Sequence, residues 1–539
     1  MSASAAEHAA PPSLLWPSAT ARQAALLTLD AAAQRDLELE TLVQALDVRG
    51  RYHSFVRATL TQLPCDAATI AYRQAVLAEL AADAALQDRL HALLPLLAEL
   101  GRPSGVPWAQ DAPLLLLPSR LSDLERYVAA VNALSDALEA TTLRADGWRA
   151  VREDLVRRRA TPDFAALQAE LPALREQLDR IRSVTVGINL DGDLQPVAAT
   201  LVAIHSEPFQ GPRSLMQRLL GTPASARHGA TTLRAIADRG VRDHALARDL
   251  ERLLAEAVRP LAQALERYVR VHTRPLASLE AELAFYLGAI QLQARLATRG
   301  LPVCLPTISA TRHCLSDAYH PGLALSLGDE AQALVCNPVD FAPGAIMLLT
   351  GPNRGGKTTY LRAIGLNQIL FQAGIFVAAR QAEMRPADRL LTHFPPTEPS
   401  APGGGRLDDE AQRIRQIFEQ ATPASLLLFN EPLTSTGVQE ALELGCDLLR
   451  ALRLLGARSV YVTHLHTLAA DLERLNANPG AMIASWVAGI DAQGGRTYRI
   501  RPGTPAARSH AAAIAAQHGI TFGQLAQRLR QRGVLPPES

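Results

Sequence analysis

Gly351-Pro352-Asn353-Arg354-Gly355-Gly356-Lys357-Thr358 fits the pattern G-x-x-x-x-G-K-[ST] at every fixed position. The apolar run Ala345–Thr350 before it reads as a buried strand, and Thr359–Phe371 after it reads as a helix. Strand, glycine-rich turn and helix are the context this pattern needs. Its glycines let backbone N–H groups close around phosphate, and the helix N-terminus adds its positive end. The loop therefore predicts a site for ATP with Mg²⁺, lined by Gly351 to Thr358 and by Thr359. Lys357 is expected on the β- and γ-phosphates and the Thr358 hydroxyl on the metal. Composition supports this placement. The chain has 54 cationic residues, and Lys357 is the one lysine among them. It stands where a compact ammonium suits phosphate oxygens better than a planar guanidinium.

Two further apolar runs end in chemistry. Ser425–Phe429 leads into Asn430-Glu431, a strand that closes on polar and acidic residues. In that position the first residue helps hold Mg²⁺ and the second polarises the attacking water. Asn430 keeps an oxygen ligand but lacks a charge, so Mg²⁺ is expected to be less firmly organised and turnover slow. Glu431 is the candidate general base. Ser459–Thr463 ends at His464, placed to sense the γ-phosphate, although a lone histidine is more often structural. Between the two motifs lies Gly403-Gly404-Gly405-Arg406, opening a helical pattern that runs to Phe418. This stretch is either a linker and helix start or a loop that presents N–H groups to the nucleotide of a second subunit. The order of phosphate loop, glycine-rich loop, acidic strand end and strand-end histidine is that of ABC-type ATPases. In that class two ATPase domains sandwich nucleotide, so Gly404, Gly405 and Arg406 are expected to complete a partner's site in a homodimer. Strands alternating with helices imply a largely parallel sheet.

Upstream, the texture differs. Leu37–Leu46, Ala67–Leu97 and Leu121–Leu143 repeat apolar residues at helical spacing. Ala230–Ala297 is a long helical pattern that Pro260 and Pro275 are expected to divide or kink. Ser183–Leu190, Asp191-Gly192 and Leu194–Ile204 read as a small hairpin. The first 20 residues read as a frayed tail without a signal-peptide pattern. No apolar run is long enough to span a membrane. Five scattered cysteines point to a reducing cytoplasm. A net charge of +1 excludes nucleic-acid binding driven by bulk charge and leaves local patches such as Arg157–Arg159 and Arg528–Arg532. Those clusters are more often solvated helix faces. Cys304, His313 and Cys314 lack the paired spacing of a zinc site.

From His320-Pro321 to about Ile520 the chain resembles the MutS DNA mismatch-repair ATPases. The resemblance rests on Thr350–Phe394, on GGGRLDDE (Gly403–Glu410), on NEPLTSTG (Asn430–Gly437), on VTHLHTL (Val462–Leu468) and on SHAAAIAAQHG (Ser509–Gly519). Asp36–Leu46 and Cys65–Leu80 resemble more loosely the start of that family's helical core, and the long helices resemble its lever. The resemblance implies an α/β ABC-type P-loop ATPase domain at 301–539, ending in a helical dimerisation segment. A mainly α-helical core and lever domain at 21–300, with a short or absent clamp, precedes it. It also implies a slow, DNA-coupled ATPase that acts at a dimer interface. Its arms would grip double-stranded, mismatched or branched DNA, near the nucleoid and with other repair proteins as partners. Three positions depart from the family. Asn430 replaces the usual Asp, Arg354 stands where the family has an apolar residue, and Leu334 lies where an aromatic ring often stacks on adenine. The resemblance also leads one to expect a chain that starts at the core domain, without the reader whose Phe-x-Glu wedge senses a mispair. Two alternatives stay open: a binder of junctions or branched DNA in recombination, and a nucleotide-switched protein scaffold.

Overall fold

A computed structural model of the chain describes residues 12–100, 113–190, 192, 196–209, 265, 274–341, 346–395, 405–477, 479–491, 495–504 and 518–536. Two compact units emerge. One comprises the described residues of Met1–Gln87, Arg144–Trp148 and Ala281–Ser539. The other comprises those of Asp88–Leu143 and Arg149–Glu280.

The first unit is built on a six-stranded sheet. Its strands are β1 (Ile346–Thr350), β2 (Leu390–His393), β3 (Leu426–Asn430), β4 (Arg458–Val462), β5 (Ile483–Ile490) and β6 (Arg496–Pro502), in the spatial order β2-β3-β4-β1-β5-β6. The first five are parallel, and β6 returns antiparallel to β5. Every residue of β1, β2, β3 and β4 is buried, polar ones such as Thr392, His393 and Ser459 included, as a parallel sheet covered on both faces requires. The expected strands are present within a residue or so of their predicted ends; Ala345 lies outside the described residues. Helices α1 (Lys357–Gln372), α2 (Arg406–Gln420) and α3 (Val438–Leu455) connect the strands. A separate four-stranded sheet, in the order Thr307–Ile308, Gln381–Met384, His313–Ala318, Asn337–Phe341, was not anticipated.

The N-terminal segment belongs to this same unit, so the compact division does not follow a boundary near residue 300. Its contacts are polar and specific. The Thr392 hydroxyl donates to Asp36 (2.6 Å), Arg413 pairs with Asp30 (2.8 Å), and Arg362 pairs with Glu38 (2.7 Å). Residues 13–16 also depart from a frayed tail. Leu14 and Leu15 are buried, the Leu14 N–H and the Ser13 hydroxyl donate to Glu282, and Trp16 lies against the Arg73 guanidinium. An apolar Leu-Leu-Trp run has more to gain from burial than from fraying. The expected run Ala67–Leu97 is two helices. Asp66 caps the first at Thr69 N (2.7 Å), and the extended backbone of Asp83 ends it.

The second unit is helical with one ribbon. Pro113–Glu139 and Pro162–Asp179 bury Leu121, Leu124, Val131, Leu134, Phe164, Leu167 and Leu171, and Tyr127 meets Phe164 edge to face. The ribbon pairs Ser183–Leu190 with Pro196–His205, as its alternating β-branched residues predicted. Of the long pattern Ala230–Ala297, helix Arg274–Ala297 is described; its residues from Ala281 on belong to the first unit, and Pro275 lies in its first turn, where proline costs no hydrogen bond. Pro260 lies outside the described residues. The arginines of 157–159 pair with Asp154, Asp136 and Glu139, the pattern of a solvated helix face. No helix of the described residues is long and apolar enough to cross a membrane.

Candidate functional site

The carboxyl ends of β1, β3 and β4 meet at one edge of the sheet, where ligands of open α/β sheets bind. β4 lies between β1 and β3, and the Thr463 N–H bonds to Leu349 O (3.0 Å), fixing the β4 end beside the β1 end. The backbone turns at Gly351, with φ +144, where an added Cβ would come within 2.7 Å of Ala488 Cβ. Gly356, with φ +88, is the N-cap of α1. Only glycine takes both positions without strain.

Lys357 opens α1 and is 4% exposed. Its ammonium donates to Gly351 O (3.0 Å) and Pro352 O (3.1 Å) and lies 3.3 Å from Glu431 Oε1. The Thr358 hydroxyl donates to Asn430 Oδ1 (3.2 Å). Six of the predicted residues, from the loop, α1 and the end of β3, are thus in direct contact with at least one other. Glu431 has φ +49, and its N–H bonds to Val462 O (2.9 Å). A left-handed backbone at a non-glycine residue costs of order 1–3 kcal/mol and persists where surrounding contacts hold it. His464 is exposed just beyond β4.

A cavity of about 500 Å³ opens over this edge. Arg354, Gly355, Gly356, Lys357, Thr358, Thr359 and Glu431 line its polar end, while Leu323, Leu327, Leu334 and Val335 line an apolar end. Gly351, Pro352 and Asn353 shape the loop without lining the cavity; Asn353 is exposed. Buried His320 is also in the wall. Burial holds its pKa down at about 4, so it is neutral near pH 7, and its Nδ1 accepts the Leu323 N–H (3.1 Å).

Gly404 lies outside the described residues, as does the side chain of Arg406. Gly405 is exposed, precedes α2 without a side-chain cap, and takes no part in the cavity wall. The mouth holds a residue that sequence reasoning missed. Tyr498 of β6 lies over Gly356, where an added Cβ would meet its ring at 3.4 Å. Asn337 fixes that strand, donating to Tyr498 O (3.0 Å) and accepting from Ile500 N (2.7 Å). No local pattern could have announced it, because the two segments are remote in sequence. A second missed residue is His466. It is exposed two residues beyond His464, and partial desolvation first, then the charges of Lys357 and His464, lower its pKa. The H-x-H spacing after β4 was the available signal.

Among the described residues no cluster of His, Cys, Asp and Glu could hold a metal ion. Thr358 Oγ1 and Asn430 Oδ1 are two neutral oxygens. They fit a Mg²⁺ carried in on phosphates and would not retain one alone.

Residues 65–299 match the family profile described as the MutS2 N-terminal domain, and residues 347–520 match MutS domain V. The DNA mismatch repair protein MutS of Granulibacter bethesdensis is 33% identical over 231 residues, 41% of this chain and 25% of that protein. MutS of a Leptospira interrogans strain is 35% identical over 175 residues, 32% of this chain and 20% of its own. The Endonuclease MutS2 of Thermus thermophilus is 28% identical over 403 residues, 72% of this chain and 51% of that protein. The matched part thus spans from a fifth to about half of these relatives' own length. Two profiles over consecutive parts of the chain, with relatives named for the same family, establish that the chain belongs to the MutS family.

Proposed function

We propose that this chain is an ATP-dependent DNA-binding protein whose ATPase site is the cavity over Lys357. The observation that carries the reading is the pairing of Lys357 with Glu431 and of Thr358 with Asn430, which brings loop, helix and strand end to one point. Domain V is the ATPase part of the family, and the strand β4 between β1 and β3 suits an ABC-type P-loop fold.

Entering phosphates would take over the Lys357 ammonium from Glu431 and the two carbonyls. Glu431, released and still close, then accepts the proton of the attacking water. His464 senses the γ-phosphate, and Thr358 with Asn430 would hold Mg²⁺. That ion, when bound, neutralises phosphate charge. Gly404, Gly405 and Arg406 act on a partner's nucleotide in a homodimer. Two features support that arrangement: Gly405 is exposed away from its own cavity, and helix Phe522–Gln531 leaves Phe522, Leu525 and Leu529 in solvent. The helical unit grips DNA in the cytoplasm.

We favour branched DNA or junctions over single mispairs as the substrate; the profile over residues 65–299 is that of a MutS2 N-terminal domain and not of a mispair reader. Binding to homoduplex, single-mismatch and four-way-junction DNA, with and without ATP, tests the reading. A junction preference that ATP modulates is expected. Equal failure on all three would move the function to a protein scaffold.

A further inference from the structure

The charges around the cavity are weighted towards cations. Arg354 and Lys357 both line it, and among the described residues Glu431 is the one carboxylate in the wall, held against Lys357 at 3.3 Å. Arg354 sits in the bend of the phosphate loop with φ +59 and is exposed. Among the described residues no carboxylate pairs with it. The position facing the Thr358 hydroxyl is the neutral amide of Asn430. Mg²⁺ is held by carboxylates together with substrate phosphates, and here the protein's share carries no charge. The same neutrality has a second effect. With no carboxylate paired to Thr358, the anion that a bare triphosphate meets among the described lining residues is Glu431, itself held against Lys357.

We propose that Arg354 is a nucleotide-binding residue that neutralises the phosphates in place of a divalent cation, so that ATP binds almost as tightly without Mg²⁺ as with it. The proposal rests on the cavity being the ATP site. A guanidinium suits the task, because its planar fork donates two parallel bonds to phosphate oxygens and stays charged at any relevant pH. Lys357 then remains at the phosphates nearest the α1 N-terminus. Mg²⁺ is needed for turnover rather than for binding, which separates two roles that a single ion usually combines.

The test is the affinity of a ribose-labelled fluorescent ATP, measured in Mg²⁺ and in EDTA, for the full chain and its Arg354→Met, Asn430→Asp and Lys357→Ala variants. The wild type should change its Kd by less than about threefold between the two buffers. Arg354→Met should weaken binding in EDTA by about tenfold or more, the size of a lost charge-assisted hydrogen bond, with a smaller effect in Mg²⁺. Asn430→Asp should create a Mg²⁺ requirement by adding an anion beside the phosphates. A wild type that loses tenfold in EDTA overturns the proposal, as does an Arg354→Met protein that matches wild type there. If those results came with a Lys357→Ala protein that binds nothing, the ATP site would stand and only the Arg354 role would fall. A wild type that binds no nucleotide in either buffer would remove both.

Discussion

Ser435 donates its hydroxyl to Glu410 across 3.1 Å, joining the loop after Glu431 to helix α2. Glu410 is only 4% exposed, and the loop it holds carries two left-handed non-glycine residues, Glu431 and Leu433. Leu433 shares a buried cluster with Ile414 and Ile417 of α2. Helix α2 therefore backs the strained loop through both a polar and an apolar anchor. Ser435→Ala should lower ATP turnover by about tenfold while leaving nucleotide affinity nearly unchanged, because misplacement of a reacting group costs rate more than binding. Ser435→Thr should keep the rate. Wild-type turnover in the alanine variant would show that α2 does not position Glu431.

Glu431→Gln should slow hydrolysis by about 10²–10⁴, the usual contribution of a general base. Its nucleotide affinity should hold or improve, since a neutral amide competes less with phosphate for Lys357. Single-turnover assays at saturating ATP read the chemical step. An unchanged rate would take the proton-accepting role away from this residue.

Buried histidines make the fold acid-sensitive. Burial lowers the pKa of His320 and of His393 from 6.5 to about 4. The unfolded chain therefore takes up protons below pH 6.5 that the folded chain refuses. Stability is full above pH 6.5 and is lost progressively down to about pH 4. Thermal melts across that window should show a falling Tm. His320→Gln should flatten part of the slope, and a Tm independent of pH would contradict the assignment of neutral buried rings.

Gly288 marks a close crossing. A Cβ there would lie 2.1 Å from Leu46 O, a backbone atom that cannot rotate away. Gly288→Ala should cost about 2 kcal/mol or more, in the range of overpacked cores. Gly50→Ala is the control. It has nothing within 4 Å and pays only for its φ of +66. Urea unfolding compares the two, and equal midpoints would show that the helices part without cost.

The candidate site could be located in the sequence because its determinants are local. A fixed spacing of Gly, Lys and Thr, and apolar runs that end at Asn430-Glu431 and His464, report the strand ends directly. What remained hidden depends on contacts between distant segments. Asp36 and Thr392 each look ordinary in their own stretches, and only their pairing shows that the N-terminal helices pack on the sheet. Short strands such as Thr307–Ile308 carry too few residues for a periodicity, so the four-stranded sheet left no pattern to read. Leu334, singled out as a departure from the family's aromatic position, does line the cavity, and the ring over the phosphate loop, Tyr498, is delivered by β6 from a segment remote in sequence.

Equilibrium binding of ATP to wild type and to Lys357→Ala tests the central claim most directly. Lys357 is the chain's only lysine and the cation in contact with both the loop carbonyls and Glu431. The account predicts a loss of about a hundredfold or more, as expected when a buried cation is taken from a phosphate site, with the fold intact by circular dichroism. An alanine variant that binds ATP as wild type does would contradict it and place the nucleotide elsewhere.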